Sequence, residues 1–193
     1  HSPEFALRRD PLSSYMRWEM SVPQAIQELA ILATARAMDC AYVWNAHASL
    51  ARQQGVADAL IDALRERQPL PDAPGDQSAF LRYALELLND HQVTQATFDA
   101  AQAAFGTRDL VELTALVGHY VQNAFLLNAF AVAWHPRLLA ATGVIPNWQR
   151  ADEPTDPTAG QLFLVPTAST DWLGHDWAAR AREAGCGVIT DLI

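Results

Sequence analysis

Residues 39–55 read DCAYVWNAHASLARQQG, with Cys40 seven residues before His47 and Asp39 just ahead of the thiol. Seven residues are about two helical turns, so a helix here sets Cys40 and His47 on nearly the same face, with Val43 and Trp44 between them. Glu28 lies twelve residues before Cys40 and is the one charge between Ser21 and Arg36. A tight helix–turn–helix would fold Glu28 against that face. A carboxylate, an imidazole and a thiol in one apolar pocket form a proton-transfer set. With Asp39 as N-cap, Cys40 occupies the first helical position, where the amides and the helix dipole favour a thiolate.

Each of these residues also has an ordinary structural reading. A cysteine in an alanine-rich helix is often a small buried hydrophobe. A histidine on an apolar face is often a hydrogen-bonded core residue, and Glu28 could be a solvated helix residue. His119 and Tyr120 form a second, weaker set that could line a pocket. Glu112 stands seven residues before His119. No HExxH, HxH or CxxC is present, so no metal site is expected. The absence of GxSxG and GxGxxG removes the common hydrolase and dinucleotide signals, and no cofactor is expected.

The elements that must position these residues read as helices up to about residue 142, because alternating β-branched runs are nearly absent. The first clear helix is 23–38, with Pro23 in its first turn. A second is expected over 40–54, ended by Gly55, and a short third over 57–67. Residues 67–76 form a Pro- and Gly-containing linker. Further helices are expected over 77–90, 95–105 (ended by Gly106) and about 109–134. QELAIL at 27–32 and VELTAL at 111–116 are a weak internal repeat, which sets Ala124 over Cys40 and Ala131 over His47. Domain organisation follows: an all-α domain over 1–142 and a Pro-rich C-terminal extension, an arm or lid, over 143–193. Within the extension, QLFLVP suggests a strand and DWAARAREAG a last helix.

With 193 residues the chain is about one domain, and half of its residues are hydrophobic. A net charge of −9 repels phosphate backbones, which argues against nucleic-acid partners. No unbroken apolar run suggests a membrane span, and HSPEFALRRDP lacks a secretory pattern. Two distant cysteines, Cys40 and Cys186, suggest reduced thiols and a cytoplasmic setting.

The stretches QELAILATAR, CAYVWNAHASLARQQGV and VTQATFDAAQAAFGTRDLVELTALVGHYVQNAFLLNAF together resemble the carboxymuconolactone decarboxylase family, which includes alkyl hydroperoxidase D. The resemblance covers roughly residues 5–135. It implies an all-α helical bundle of the hydroperoxidase D type, assembled as a homo-oligomer (trimer or hexamer, with a dimer possible), with sites near subunit contacts. The hydroperoxidase branch has Glu, eleven residues, Cys-x-x-Cys, three residues, then His. Glu28, Cys40 and His47 match that pattern, and Val43 stands where the peroxide-attacking second cysteine belongs. A two-thiol cycle therefore cannot run within this motif, and Cys186 could resolve Cys40 only if the tail brought it close. The resemblance implies a cofactor-independent lyase acting on a small carboxylated or cyclic molecule. His47 would be its general acid/base and Glu28 its orienting or relaying group. Cys40, Tyr42, Val43, Trp44, His119 and Tyr120 would surround the substrate. The alternatives are a single-cysteine thiol peroxidase using Cys40 and a non-enzymatic ligand-binding oligomer.

Overall fold

A computed structural model describes residues 2–130, 162–165 and 187–190. Ser2–Ala124 forms a compact helical unit. It begins with α1 (Pro3–Ser14), which runs into a π-helical segment, Tyr15–Glu19. Then follow α2 (Gln24–Ala37), α3 (Ala41–Gln53), α4 (Asp58–Arg65), α5 (Gly75–Asp90) and α6 (Gln95–Ala129). The all-α architecture is as expected, and α2 to α5 begin and end within two residues of the predicted bounds.

Helix α2 is the centre of the unit. Every residue from Ile26 to Ala35 is buried, and the helix packs against α3, α4 and α5. Its alanines and leucines, which are not β-branched, favour the helix, and Leu29, Ile31 and Leu32 are fully inaccessible. Burial of each such side chain stabilises the fold by about 1.5–3 kcal/mol. Glu28 is carried into this interior by the same helix.

The helix ends share one device. At the end of α2 the Cys40 amide donates to Ala35 O at 2.8 Å and the Asp39 amide to Arg36 O, with Asp39 at φ 48°. This is a Schellman motif with aspartate in the left-handed position. Gly55 closes α3 and Arg67 closes α4 with the same pair of bonds. Of these three residues, Asp39 and Arg67 are not glycine, and they stabilise one another. Arg67 Nη2 donates to both carboxylate oxygens of Asp39 at 3.1 and 3.2 Å, and Arg36 pairs with Asp39 as well.

Two expectations are corrected here. Asp39 ends α2 instead of capping α3; the N-cap of α3 is Cys40 itself. The six-residue hydrogen-bonded loop claims Asp39 before it can serve the next helix. Pro23 is the N-cap residue of α2, one position outside the first turn; its carbonyl accepts from Ile26 and Gln27. The N-terminal segment, which carries no clear helical pattern in sequence, is helical from Pro3.

Within the described residues the two predicted helices over 95–105 and 109–134 join as α6, Gln95–Ala129, which breaks at Gly106, whose φ 72° and ψ 171° are non-helical. Only glycine reaches that conformation without strain. Helix α6 is long and apolar enough to cross a membrane by length and composition, which the sequence reading did not anticipate; half of that window is buried inside the protein. A core helix passes the same test.

Outside the helical unit, β1 (Leu162–Val165) pairs in parallel with β2 (Gly187–Thr190), Leu162 opposite Gly187. The first lies within the expected QLFLVP strand, and the second was not foreseen. The expected last helix and Cys186 lie outside the described residues.

Candidate active site

The turn between α2 and α3 folds the two helices against each other, and this brings Glu28 to His47. His47 Nδ1 lies 2.8 Å from Glu28 Oε2, and the two side chains are 1% and 2% exposed. A carboxylate only accepts hydrogen bonds, so Nδ1 carries the proton. The other carboxylate oxygen accepts from Arg17 Nη1 at 3.1 Å. Arg17 comes from the π-helical segment and is itself buried. On the far side of the imidazole, Nε2 faces the Tyr120 hydroxyl of α6 at 3.4 Å. The two rings meet edge to face, their centroids 5.4 Å apart. Arg17, Glu28, His47 and Tyr120 thus form one buried polar line.

The protonation states follow from these contacts. Burial is the largest influence on Glu28 and opposes ionisation. The hydrogen bonds and charges of His47 and Arg17 together outweigh it and hold the carboxyl below its usual range. Burial lowers the His47 pKa, and Arg17 adds to this; Glu28 pulls the other way without prevailing. At neutral pH the pair is therefore a carboxylate and a neutral imidazole whose Nε2 lone pair is available. Burial pushes the Tyr120 phenol up to about 12, so its hydroxyl stays a donor.

A second polar group adjoins the first. Arg9 of α1 donates from Nη2 to His119 Nε2 at 3.1 Å and also to Asn123 Oδ1. Ser13 Oγ lies 3.4 Å from the same His119 nitrogen. Burial and then the Arg9 charge lower the His119 pKa to about 4. The His119 and Tyr120 rings are 5.7 Å apart at 77°. Glu112 does not join His119; it pairs instead with Tyr15 and Arg108.

Cys40 is fully buried. Burial raises its pKa to about 11, and the backbone of Val43 and Tyr42 opposes this only in part. The expected helix-stabilised thiolate is therefore overturned, because desolvation exceeds the effect of the helix terminus. Among the described residues, Cys40 makes no side-chain hydrogen bond to His47 or Glu28. Val43 is a core residue, and Tyr42 and Trp44 are buried beside it in α3. Burial raises the Tyr42 pKa as well.

Sequence reasoning missed Arg9, Ser13, Arg17 and Asn123. The signal for the first three was faint: Pro11 interrupts α1 and the π turn destroys the 3.6-residue period. Asn123 is visible only as a polar break in an apolar helix. Cavities of about 450 Å³ between α5 and α6 and about 230 Å³ beside α4 contain none of the candidate residues. Among the described residues no three His, Cys, Asp or Glu side chains converge as a metal site requires.

Residues 3–86, somewhat under half of the chain, match the model of the carboxymuconolactone decarboxylase family. The match takes in Arg9, Arg17, Glu28, Cys40 and His47. In overall structure the chain is similar to a protein of unknown function from Agrobacterium tumefaciens, described as a candidate antioxidant defence protein AhpD. The TM-score is 0.59 at 16% identity, covering 68% of this chain and 90% of that one. That likeness shows a shared AhpD-like fold. No curated protein matches the sequence.

Proposed function

We propose that the protein is a cofactor-independent acid/base enzyme that decarboxylates, or transfers a proton within, a small carboxylated molecule. The observation that supports this reading best is the buried hydrogen bond from His47 to Glu28, which leaves Nε2 unprotonated and facing the Tyr120 hydroxyl.

The chemistry follows from the protonation states. Nε2 takes a proton, and the imidazolium formed is stabilised by the Glu28 carboxylate. Burial makes that imidazolium a willing acid. In a decarboxylation the bond to the departing carboxylate breaks and its electron pair stays on the substrate carbon, delocalised into a neighbouring carbonyl. Carbon dioxide leaves, and the proton passes from Nε2, directly or through the Tyr120 hydroxyl, to that carbon. Solvent restores the proton, so one is consumed for each carbon dioxide released. Arg17 keeps Glu28 ionised throughout.

The peroxidase alternative draws on the AhpD-like fold, but the buried, protonated Cys40 and the valine at position 43 count against it. Carbon dioxide release from carboxymuconolactone and related carboxylated lactones tests the proposal. His47→Ala is expected to lose about 10²–10⁴-fold in turnover, the usual worth of a positioned acid/base. Turnover unchanged in that variant would overturn it.

A further inference from the structure

Gly106 breaks α6 into two arms, and a cavity of about 450 Å³ lies between these arms and α5. Phe98 and Gln102 line it from before the glycine, Leu110, Val111 and Thr114 from after it, and Tyr83 from α5. The α5 wall is held in place by packing. Fully buried Phe80 stacks on the Tyr83 ring at 6.4 Å and meets Phe105 edge to face at 6.0 Å. Backbone kept in a sparsely populated conformation beside a concave apolar space is a recurrent property of ligand sites. No Asp, Glu, Lys, Arg or His lines this space, although Arg108, Asp109 and Glu112 share the same stretch of α6. Those charges are engaged elsewhere: Asp109 accepts from Ser21, and Glu112 accepts from Tyr15 and Arg108. An ion entering the cavity would lose hydration and find no counter-charge, so the walls select an uncharged ligand.

The hydrogen bonds of the wall set the polar group of that ligand. Thr114 Oγ1 donates its one proton to Leu110 O at 2.6 Å. The 2.8 Å contact between Tyr83 Oη and Thr114 Oγ1 is therefore donated by Tyr83. The Tyr83 oxygen, on a side chain only 6% exposed, keeps acceptor lone pairs. Gln102 donates from Nε2 to Thr107, and among the described residues its Oε1 is likewise unused. Both acceptors suit a hydroxyl that donates. We propose that this cavity is a second ligand site, which takes a small uncharged molecule: an aromatic or alicyclic ring that packs on Phe98, Leu110 and Val111, with one hydroxyl that donates to Tyr83 Oη. Val111 is 62% and Phe98 37% exposed, so the ring removes their apolar surface from water. Neither His47 nor Glu28 lines the cavity, and the site is independent of the acid/base reading above.

The test uses 2-naphthol, naphthalene and 2-naphthoate as probes of the full-length protein. Calorimetry should show saturable binding of 2-naphthol and no binding of 2-naphthoate. Naphthalene should bind more weakly than 2-naphthol by about two- to tenfold, the worth of one hydrogen bond. In wild-type protein, 2-naphthol should also shift the methyl NMR signals of Leu110, Val111 and Ala115. Tyr83→Phe should abolish the preference for 2-naphthol over naphthalene. Ala115→Phe, at an exposed position on the cavity wall, should abolish binding of both. That variant and the wild-type methyl shifts decide the matter if Tyr83→Phe does not fold. Binding of 2-naphthoate as tight as that of 2-naphthol, equal affinity for naphthalene, unmoved methyl signals, or 2-naphthol affinity unaltered in Ala115→Phe would each overturn the assignment. So would absent 2-naphthol binding together with an altered oligomeric state of Ala115→Phe in sedimentation, which would make the cavity a subunit contact. The two readings fail separately, because His47→Ala should bind 2-naphthol as the wild type does.

Discussion

His47 and Glu28, nineteen residues apart on neighbouring helices, meet through a 2.8 Å hydrogen bond that water does not reach. The bond sets the imidazole tautomer, and Arg17 fixes the charge of the acceptor.

Glu28→Gln separates charge from geometry. The amide oxygen can still accept from Nδ1, so the ring keeps its orientation, but the imidazolium loses its counter-ion. Turnover on carboxylated lactones is expected to fall about 10²-fold with a smaller change in KM. Arg17 is left buried and unpaired, so urea denaturation should show a loss of about 3–5 kcal/mol. A variant as stable and as active as wild type would show that the pair is decorative.

Cys40 is expected to be chemically quiet. With a pKa near 11, about one thiol in 10⁴ is ionised at pH 7. Brief, mild peroxide followed by a sulfenate trap and intact-mass analysis should leave Cys40 unlabelled. Cys40→Ser should retain the acid/base activity. Rapid selective trapping at Cys40 would favour the peroxidase reading.

Stability should decline in acid, and His119 should account for part of the slope. Its folded pKa is lowered to about 4 from the ordinary 6.5, so the unfolded chain binds the proton first as the pH falls. The contribution is present above pH 6.5 and is lost progressively toward pH 4. The lowered values of His47 and Glu28 act in the same direction. Urea midpoints measured from pH 7 to 4.5 should fall, and His119→Gln should flatten the curve. A midpoint independent of pH would contradict the assigned protonation states.

Gly106 tests the backbone of α6. No atom lies within 4 Å of where its Cβ would be, so Gly106→Ala meets no steric clash. The φ of 72° with ψ of 171° still disfavours any side chain. A loss of about 1–3 kcal/mol is expected in chemical denaturation. A neutral or stabilising effect would mean that the kink is not required.

Much of this architecture was legible in the sequence because it rests on local rules. The apolar stripe of α2, the stop at Gly55 and the break at Gly106 are readable from residue type and spacing. So was the Glu28–His47 pairing, since a lone charge in a buried helix needs a partner. The resemblance to the carboxymuconolactone decarboxylase family supplied the roles expected of His47 and Glu28. Other features depend on competition between effects. Asp39 reads as an N-cap, yet the Schellman loop takes it. Cys40 reads as a helix-terminal thiolate, yet its complete burial reverses the sign. Arg9 and Arg17 sit in a segment where Pro11 and a π turn erase the helical period, so the two buried cations were invisible until the chain was folded.

The most direct measurement is the ¹⁵N NMR state of the His47 ring at pH 7, assigned with a His47→Gln control. The account predicts a neutral imidazole with the proton on Nδ1, a bare Nε2, and no titration near pH 6.5. An Nε2 proton, or a ring doubly protonated at pH 7, would contradict it, because no base would then face Tyr120.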